Sequence, residues 1–437
     1  MLANIFINFV AMKNSFLIAA PMSGSGKTTV ARGLMALLAR RGYQVQPMKC
    51  GPDYIDTKFH AAVCGRPSVN LDLFMAPEEH VRALAERYAS AADITVVEGM
   101  MGLFDGYDHE HGSAYEIARA LDMPVVMVVD ARSAAYSMAA LLKGFVEFRR
   151  DIRFLGVIFN KVGSVRHERM LREVCEDIGV PCIGCIPKSE VAQTGERYLG
   201  LDFSGSEMER SVGLLADLME QHLDLSLLPL PSSPGAHDIQ EKPVVAEMPV
   251  RGRKIVIARS SEAFSFVYQQ TLDCFRDDEV VFFNPELDET FPLDADLLYL
   301  PGGYPEKHAQ VLSEAAHALD CVRRYAEQGG KVIAECGGMM YLCKQILTDE
   351  GAYPMCGVLP YTVSARKADR RLSLGYRRWV LDGKEYRGHE FHYSQFVGKQ
   401  PESAATVWNA RGEEVNCPII RQGNVIASYT HWYFLRN

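Results

Sequence analysis

One segment near the N-terminus constrains the fold of this 437-residue chain more than any other. Residues 16–29 read FLIAAPMSGSGKTT, an apolar run followed by a turn rich in glycine and serine and then by a helical pattern. A strand, a glycine-rich turn and a helix that opens with Lys-Thr form the context of a phosphate-binding P-loop. The first glycine of the usual motif is replaced by Pro21, so only its second half, the Gly-Lys-Thr at 26–28, matches strictly.

The side chains of this segment predict a nucleotide site. In a P-loop, successive backbone N–H groups and the N-terminus of the helix face the phosphates. Lys27 is expected to reach the terminal phosphates, and the hydroxyl of Thr28 is expected to bind Mg²⁺. The alternative, an ordinary glycine-rich turn before a helix, would not require the Lys-Thr pair at this place.

Composition excludes several classes of function. The net charge of −9 and a pI near 5.8 argue against nucleic acid or an acidic membrane as the main partner. No window is long and apolar enough to cross a bilayer. The 11 cysteines lack the spacing of a metal site and suggest a cytoplasmic, reducing setting. The single C-x-x-C, Cys182 to Cys185, is interpreted as a buried structural pair rather than a zinc or redox site.

Strand-like and helical runs alternate after the P-loop, which predicts an α/β fold with a doubly wound parallel sheet. The strands are expected at 44–48, 94–97, 125–129, 154–159 and 182–186. In such sheets the site lies in the loops that follow the strands. Three of these loops carry polar residues: 49–56, with two carboxylates around a tyrosine, 98–106, which opens with an acid beside glycines, and 160–162. Taken alone, the two acids of the first loop are equally typical of a surface turn.

The composition of the sequence changes after residue 224. Residues 225–252 are rich in proline and lack periodicity, so they predict a linker. We therefore divide the chain into a nucleotide domain at 14–224, the linker, and a second α/β domain at 253–437. The second domain is expected to contain strands at 255–258, 280–283 and 297–300 and a helix at 263–276.

A cysteine stands at a sharp strand-to-helix turn in the second domain. The sequence KVIAECGGMM at 331–340 matches a nucleophile elbow with Cys336 in place of serine. The turn should expose the sulfur, and the start of the helix should lower the pKa of the thiol. The N–H groups of Gly337 and of Gly303, in a second glycine pair, are suited to form an oxyanion hole. The alternative is a buried core cysteine, which is the commonest fate of a free thiol.

A cysteine nucleophile needs a base, and three histidines are candidates. His389 and His392 lie in a predicted strand, and His431 lies near the C-terminus. Spacing along the chain cannot choose between them, because the partners meet only in the fold. His389 and His392 are equally compatible with a substrate contact or with a hydrogen-bonded strand histidine.

Taken together, the motifs resemble the cobyrinate a,c-diamide synthase family. The P-loop, GPDYID, EGMMGLFDG, PGGYPE, AECGGMMYL, GHEFHYS and SYTHWYF occur in the order expected of that family, from about residue 14 to the C-terminus. The resemblance implies a dethiobiotin-synthetase-like ATPase domain fused to a class I glutamine amidotransferase domain. It also implies amidation of the a and c carboxylates of cobyrinate, a corrinoid, with ATP, Mg²⁺ and glutamine, in cobalamin biosynthesis.

The resemblance also implies the site residues. The nucleotide loop comprises Ser25, Gly26, Lys27 and Thr28. The acidic site for substrate and Mg²⁺ comprises Asp53, Tyr54, Asp56, Glu98 and Asp105. Asp53, Asp56 and Glu98 are expected to take part in catalysis, Tyr54 and Asp105 to contact the substrate, and Thr28, Asp53 and Glu98 to hold the metal.

The remaining assignments from the resemblance concern adenine and glutamine. Asn160 matches the position beside adenine, Cys336 the glutaminase nucleophile and His431 its base. The usual His-x-Glu of glutamine amidotransferases reads His431-Trp432-Tyr433 here, so the acidic third member of the triad is missing at that place.

Other functions remain compatible with these motifs. The same chemistry on hydrogenobyrinate or nickel-sirohydrochlorin needs the same nucleotide and glutaminase residues. A regulatory P-loop ATPase with a vestigial amidotransferase-like binding domain is the alternative from another class. A binding domain has no need of a thiol at the elbow, so Cys336 is the feature that separates the two.

Overall fold

The computed structural model describes residues 12, 14–189, 206–235 and 252–435. The chain divides into two compact units. The first comprises Met1–Leu73 and Pro77–Lys242, and the second comprises Phe74–Ala76 and Pro243–Asn437. The segment predicted as a linker begins with one turn of 3₁₀-helix at Leu225–Leu227, and residues 236–251 of it lie outside the described residues.

The first unit is built on a parallel sheet of seven strands in the order β3-β2-β4-β1-β5-β6-β7. The strands are β1 Ser15–Ala19, β2 Val45–Cys50, β3 Val69–Leu71, β4 Ile94–Glu98, β5 Val125–Asp130, β6 Phe154–Val162 and β7 Cys182–Pro187. The central strand β1 is buried along its whole length, as expected of a strand covered on both faces.

The helices of this unit connect and cover the parallel strands. They are α1 Lys27–Arg40, α2 Ile55–Cys64, α3 Glu78–Ala89, α4 Ala114–Ala120, α5 Met138–Phe148, α6 Val165–Ile178 and α7 Ser206–His222. The apolar face of α1, with Leu34 and Leu37, packs in one core with Ile18 of β1 and Met219 of α7. The strands β1, β2, β4 and β6 therefore present their carboxyl ends, and the loops that follow them, at one edge of the sheet.

The second unit combines a six-stranded sheet with two sheets of four strands, one antiparallel and one mixed. In the large sheet, of order β19-β20-β11-β10-β8-β9, the strands are β8 Lys254–Ala258, β9 Glu279–Phe283, β10 Leu297–Leu300, β11 Val332–Glu335, β19 Ile420–Gln422 and β20 Val425–Ser428. All of its strands run parallel except β19.

The two small sheets follow the nucleophile elbow along the chain. One has the order β13-β12-β14-β17, with β12 Gln345–Leu347, β13 Ala352–Pro354, β14 Thr362–Ser364 and β17 Gln395–Val397. The other has the order β18-β15-β16-β21, with β15 Ser373–Leu381, β16 Lys384–His392, β18 Val407–Trp408 and β21 Thr430–Trp432. The helices of the unit are α8 Gln269–Cys274, α9 Ala309–Glu314, α10 Ala316–Glu327 and α11 Gly337–Leu342.

The predicted α/β fold class is confirmed, with two local differences. The helix expected at 263–276 is limited to α8, because the N–H groups of Ser265 and Phe266 bond to the carbonyl of Gly302 instead of joining a helix. The short strands β3, β12, β13, β14, β17 and β18 were not predicted, since runs of two or three residues carry no periodic signal. The strand predicted to contain His389 and His392 is present as β16. Within the described ranges, no helix combines the length and apolar character needed to cross a membrane.

Candidate active sites

The P-loop of the first unit has the backbone of an anion site. Gly24 and Gly26 have φ angles of 80° and 89°, which an L-residue rarely adopts. A Cβ on Gly26 would lie 2.0 Å from Nδ2 of Asn160, so no side chain fits there. The Asn160 amide donates to the carbonyl of Ser25 at 3.1 Å, and its Oδ1 accepts the N–H of Lys161. Asn160 thus holds the P-loop from β6, and its expected contact with adenine stays a prediction.

The two P-loop side chains expected to act on the nucleotide converge on the loop after β4. Lys27 donates to the carbonyl of Met101 at 2.7 Å, and Thr28 donates to Oε1 of Glu98 at 2.5 Å. Burial, together with the nearby charge of Lys49, lowers the pKa of Lys27 to about 8. Its hydrogen-bond acceptor in this structure is a neutral carbonyl, and phosphate oxygens would add negative charge beside this cation.

A buried ion cluster stands beside the P-loop. Lys49, at the end of β2, lies 3.1 Å from Oε1 of Glu98 and 2.8 Å from Oδ2 of Asp56. Arg32 of α1 reaches the other oxygen of Asp56 at 2.9 Å, and Nε2 of His60 lies 2.9 Å from Glu98. Burial opposes the ionisation of Glu98, but the charge of Lys49 and the hydrogen bond from His60 hold its pKa well below the usual range.

The other residues of the predicted acidic site take different positions. Asp53 caps α2, because its Oδ1 accepts the N–H groups of Ile55 and Asp56 at 2.9 and 2.8 Å. Burial and the charge of Asp56 raise the pKa of Asp53. Tyr54 is buried at the start of the same helix, while Asp105 is exposed and accepts the N–H of Gly102. The sheet thus brings Thr28, Glu98, Lys49 and Asp56 into direct contact.

Cys336 of the second unit occupies a strained turn between β11 and α11. Its φ and ψ of 45° and −107° lie outside the regions that residues other than glycine prefer. Its N–H donates to the carbonyl of Ser428 at 2.7 Å, which fixes the turn against β20. Such strain at a nucleophile is typical of an elbow that presents one side chain to a reactant.

The expected lowering of the thiol pKa is wrong for this structure. Cys336 is only 5% exposed, and burial, with the charge of Glu306 next in effect, raises the pKa of its thiol. The N–H of Gly337 at the start of α11 acts in the opposite direction, but it is outweighed. The thiol is therefore protonated before substrate binds, and its attack on an amide requires a base.

The histidine that β21 carries to this region is His431. Its ring is buried and stacks on His389 with the ring centres 4.9 Å apart. A Cβ on Gly302 would lie 2.2 Å from Cε1 of His431, so the Gly302 backbone touches the edge of the ring. Burial, followed by the charges of His389 and His392, lowers the pKa of His431 well below its usual value. A neutral imidazole is the form that accepts a proton.

The other two histidines are engaged elsewhere. Nδ1 of His389 lies 2.8 Å from the hydroxyl of Tyr268. His392 donates Nδ1–H to the carbonyl of Ser394 and meets Glu390 at 2.6 Å through Nε2. These bonds orient both rings on strand β16 of the sheet β18-β15-β16-β21. The geometry therefore favours His431 as the partner of Cys336.

The glycines of the predicted oxyanion hole lie side by side. A Cβ on Gly337 would be 3.0 Å from the backbone nitrogen of Gly303, and one on Gly303 would be 2.3 Å from the carbonyl of Ala263. Both positions therefore require glycine. The close approach brings the two backbones together beside Cys336, as an oxyanion hole requires.

Comparison with known proteins assigns a family to each unit. Residues 16–200 match the model of the CobQ/CobB/MinD/ParA nucleotide binding domain, and residues 254–437 match that of the CobB/CobQ-like glutamine amidotransferase domain. The chain is 42% identical to the hydrogenobyrinate a,c-diamide synthase of Brucella anthropi, over 95% of this chain and 97% of that protein. It is 38% identical to the cobyrinate a,c-diamide synthase of Caldanaerobacter subterraneus, over 95% and 94%. The chain belongs to the a,c-diamide synthase family.

Membership of the a,c-diamide synthase family confirms the class of enzyme predicted from the sequence. The protein is an ATP-dependent, amide-forming ligase with a glutamine amidotransferase domain. Among solved structures, the cell division ATPase MinD of Pyrococcus furiosus aligns at 17% identity and a TM-score of 0.32. That alignment covers 48% of this chain and 99% of MinD.

Sequence reasoning missed four buried residues of this synthase: Arg32, Lys49, His60 and Glu335. Three of them have a signal in the sequence. Lys49 is the only charged residue of β2 and is separated by one residue from GPDYID, and Arg32 falls on the apolar face of α1. Glu335 ends β11 directly before the nucleophile, a place where a carboxylate is rarely a solvated residue.

Removing the cation of the buried ion cluster should destabilise the first unit. Lys49→Met leaves the carboxylates of Glu98 and Asp56 without their shared ammonium, which is expected to cost about 3–5 kcal/mol. Denaturant unfolding of the intact chain measures the change. The exposed Lys143→Met on α5 is the control, with an expected change under about 0.5 kcal/mol. Adding Glu98→Gln to Lys49→Met should recover part of the loss, and equal stability of Lys49→Met and wild type would contradict the argument.

A methyl group on Gly302 should disable the glutaminase alone. Gly302→Ala places a carbon 2.2 Å from Cε1 of His431, so the imidazole must leave its position. We expect glutamine hydrolysis to fall about 100-fold, the size of a lost general base, while amidation with ammonium chloride continues. Gly351→Ala is the control, because its new methyl meets only ordinary contacts at 3.7 Å. Wild-type glutamine hydrolysis in Gly302→Ala would show that His431 is not the base.

Proposed function

We propose that this protein converts the a and c carboxylates of a cobyrinate-type corrin ring into carboxamides, using ATP and glutamine. The observation that carries the proposal is the presence of two complete reactive groupings on one chain. In the first unit Thr28 donates to Glu98, and Lys27 precedes Thr28 on the P-loop. In the second unit Cys336 adjoins the close pair Gly303 and Gly337, and Gly302 touches His431. The first suits the activation of a carboxylate, and the second suits the release of ammonia from an amide.

Activation of the carboxylate is the task of the first unit. A carboxylate oxygen attacks the γ-phosphorus of ATP, the bond to ADP breaks, and an acyl phosphate forms. Lys27 stabilises the charge that develops on the transferred phosphoryl group. Lys49 and Arg32 hold Asp56 in place, and the charge of Lys49 keeps the pKa of Glu98 low. Tyr54 and Asp105 are proposed to contact the macrocycle, and Asn160 the adenine.

The residues of this unit fit a magnesium ion. Hydroxyl and carboxylate oxygens are the ligands that Mg²⁺ prefers beside phosphates, and those of Thr28 and Glu98 meet at 2.5 Å. Both would hold the ion, with Asp53 contributing through the oxygen that does not cap α2. When bound, Mg²⁺ offsets the charge of the phosphates.

Ammonia is supplied by the second unit. His431 takes the proton of Cys336, and the sulfur attacks the side-chain carbonyl of glutamine. The N–H groups of Gly303 and Gly337 stabilise the resulting oxyanion. His431 then returns the proton to the leaving nitrogen, ammonia departs, and water hydrolyses the glutamyl thioester to glutamate. Ammonia displaces phosphate from the acyl phosphate and completes the amide.

The identity of the macrocycle is the most specific part of the proposal. Relatives named for hydrogenobyrinate and for cobyrinate resemble the chain at 42% and 38% identity, so either ring, without or with cobalt, fits the family. We place the reaction in the cytoplasm, because every described cysteine is a free thiol.

A parallel amidation assay tests the proposal. Hydrogenobyrinate, cobyrinate and nickel-sirohydrochlorin are each offered with ATP, Mg²⁺ and glutamine, and products are followed by mass spectrometry. Two successive changes of carboxylic acid to amide on hydrogenobyrinate or cobyrinate are expected. Amidation of nickel-sirohydrochlorin alone would reassign the substrate. ATP hydrolysis without amidation of any ring would favour the regulatory ATPase with a ligand-binding second domain.

A further inference from the structure

The structure assigns Glu335 as the positioning residue that orients His431, in place of the acid that is missing two positions after that histidine. Oε2 of Glu335 lies 3.8 Å from Nδ1 of His431, and both side chains are at most 1% exposed. The inference rests on the proposed function, because it concerns the base that acts on Cys336. It makes the strand before the nucleophile, β11, the source of the third member of the triad.

The carboxylate of Glu335 is fixed in this position by two hydrogen bonds. The hydroxyl of Tyr299, on β10, donates to Oε2 at 2.9 Å, and the N–H of Trp432, on β21, donates to Oε1 at 3.1 Å. The bond from Trp432 ties Glu335 to the residue next to His431. The carboxylate therefore cannot swing away from the imidazole without breaking contacts on both sides.

Glu335 faces the nitrogen of His431 that a base must keep protonated. When Nδ1–H points to an acceptor, Nε2 is left with the lone pair that takes the thiol proton. A distance of 3.8 Å exceeds a hydrogen bond, and catalytic hydrogen bonds are often long before substrate binds. Contact with the ring of His389 on one side and with Gly302 at Cε1 restricts the imidazole near this orientation.

Charge also favours this role. Burial raises the pKa of Glu335 to about 8, although the N–H of Trp432 and the hydroxyl of Tyr299 act in the opposite direction. A cation beside it acts against burial and favours the carboxylate form. Transfer of the Cys336 proton makes His431 an imidazolium, and the carboxylate form of Glu335 offsets the charge that appears during attack.

The other acid near His431 is already committed. Glu390 binds His392 through Oε1 and the guanidinium of Arg377 through Oε2, both at 2.6 Å. Its two oxygens thus bind side chains of β15 and β16, whereas Oε2 of Glu335 faces the base. The groups around the pair are Tyr299, His389, His392 and Glu390.

The test compares Glu335→Gln with Tyr299→Phe. The glutamine keeps the size of Glu335 and an acceptor for Trp432, but it cannot be ionised. Tyr299→Phe breaks the same tie between β10 and β11 and keeps the carboxylate. If Glu335 positions His431, kcat for glutamine hydrolysis should fall about 100-fold in Glu335→Gln, within the range of general acid–base catalysis, and far less in Tyr299→Phe. Amidation with ammonium chloride should continue in both.

The pH dependence of Cys336 alkylation by iodoacetamide provides a second measurement. It would not change if the role of Glu335 were purely structural. In Glu335→Gln the pH dependence of alkylation should shift to higher pH. The imidazolium that accompanies the thiolate loses its counter-charge, and this effect is expected to outweigh the lost repulsion between Glu335 and the thiolate. Glu335→Asp should restore part of both the rate and the profile. Equal losses in Glu335→Gln and Tyr299→Phe, or wild-type behaviour of Glu335→Gln, would overturn the inference.

The same experiment separates this inference from the proposed function. Wild type and His431→Ala are assayed beside the variants. If wild type hydrolyses glutamine, His431→Ala does not and Glu335→Gln does at the wild-type rate, the inference fails and the proposed function stands. If wild type hydrolyses no glutamine, the proposed glutaminase fails and the role of Glu335 fails with it.

Discussion

Replacing Cys336 with alanine is expected to abolish amidation with glutamine and to leave amidation with ammonium chloride intact. In the proposed mechanism the thiol forms the covalent intermediate, so its loss should lower glutamine hydrolysis by at least about 10,000-fold, as for other nucleophiles that act with a base. The first unit keeps its P-loop and ion cluster and continues to form the acyl phosphate. Product formation with each nitrogen source is measured by mass spectrometry.

The matched control for this variant is Cys274→Ala. Cys274 is a partly buried thiol of the same unit, on α8, and its sulfur donates to the carbonyl of Phe434. We expect its removal to leave both nitrogen sources in use. Glutamine-dependent amidation by Cys336→Ala at the wild-type rate would mean that the elbow is not the site of ammonia release.

Replacing Lys27 with methionine should have the opposite pattern, with amidation lost for both nitrogen sources. The ammonium group is expected to reach the terminal phosphates, and in this structure it donates to the carbonyl of Met101. Without this ammonium group, the negative charge that develops on the transferred phosphoryl group is less well stabilised. The loss is expected to slow amidation on the order of 1,000-fold. Hydrolysis of glutamine at Cys336 should persist.

Lys143→Met, an exposed lysine on α5, is the control for this experiment and is expected to retain both activities. The variants at Lys27 and Cys336 test the two halves of the reaction separately. One removes the activation of the carboxylate and the other removes the supply of ammonia. Amidation by Lys27→Met with ammonium at the wild-type rate would show that the P-loop does not act on the carboxylate.

The parts of the site that the sequence predicted are those with a local signal. The P-loop is visible because a strand, glycines with positive φ and a Lys-Thr pair lie within 14 consecutive residues. The elbow at Cys336 is visible for the same reason. In both motifs the backbone of one turn positions the functional groups, so residues that are close in the sequence are also close in the structure.

The parts that were missed depend on contacts between distant segments. Lys49 meets Glu98 across 49 positions, and Glu335 meets His431 across 96. The pKa of Cys336 was predicted in the wrong direction, because the motif shows the helix N-terminus but not the burial of the sulfur. Asn160 was predicted from its place after a strand, whereas its bond to Ser25 needs the fold.

An isotope experiment tests the central claim, that ATP phosphorylates the carboxylate that becomes the amide. Hydrogenobyrinate or cobyrinate with ¹⁸O in its carboxylates is amidated with ATP and glutamine, and the inorganic phosphate is analysed by mass spectrometry. In an acyl phosphate, the oxygen between carbon and phosphorus comes from the carboxylate and leaves with phosphate when ammonia attacks. The account predicts one ¹⁸O in the phosphate for each amide formed. Amide formation with unlabelled phosphate would contradict it.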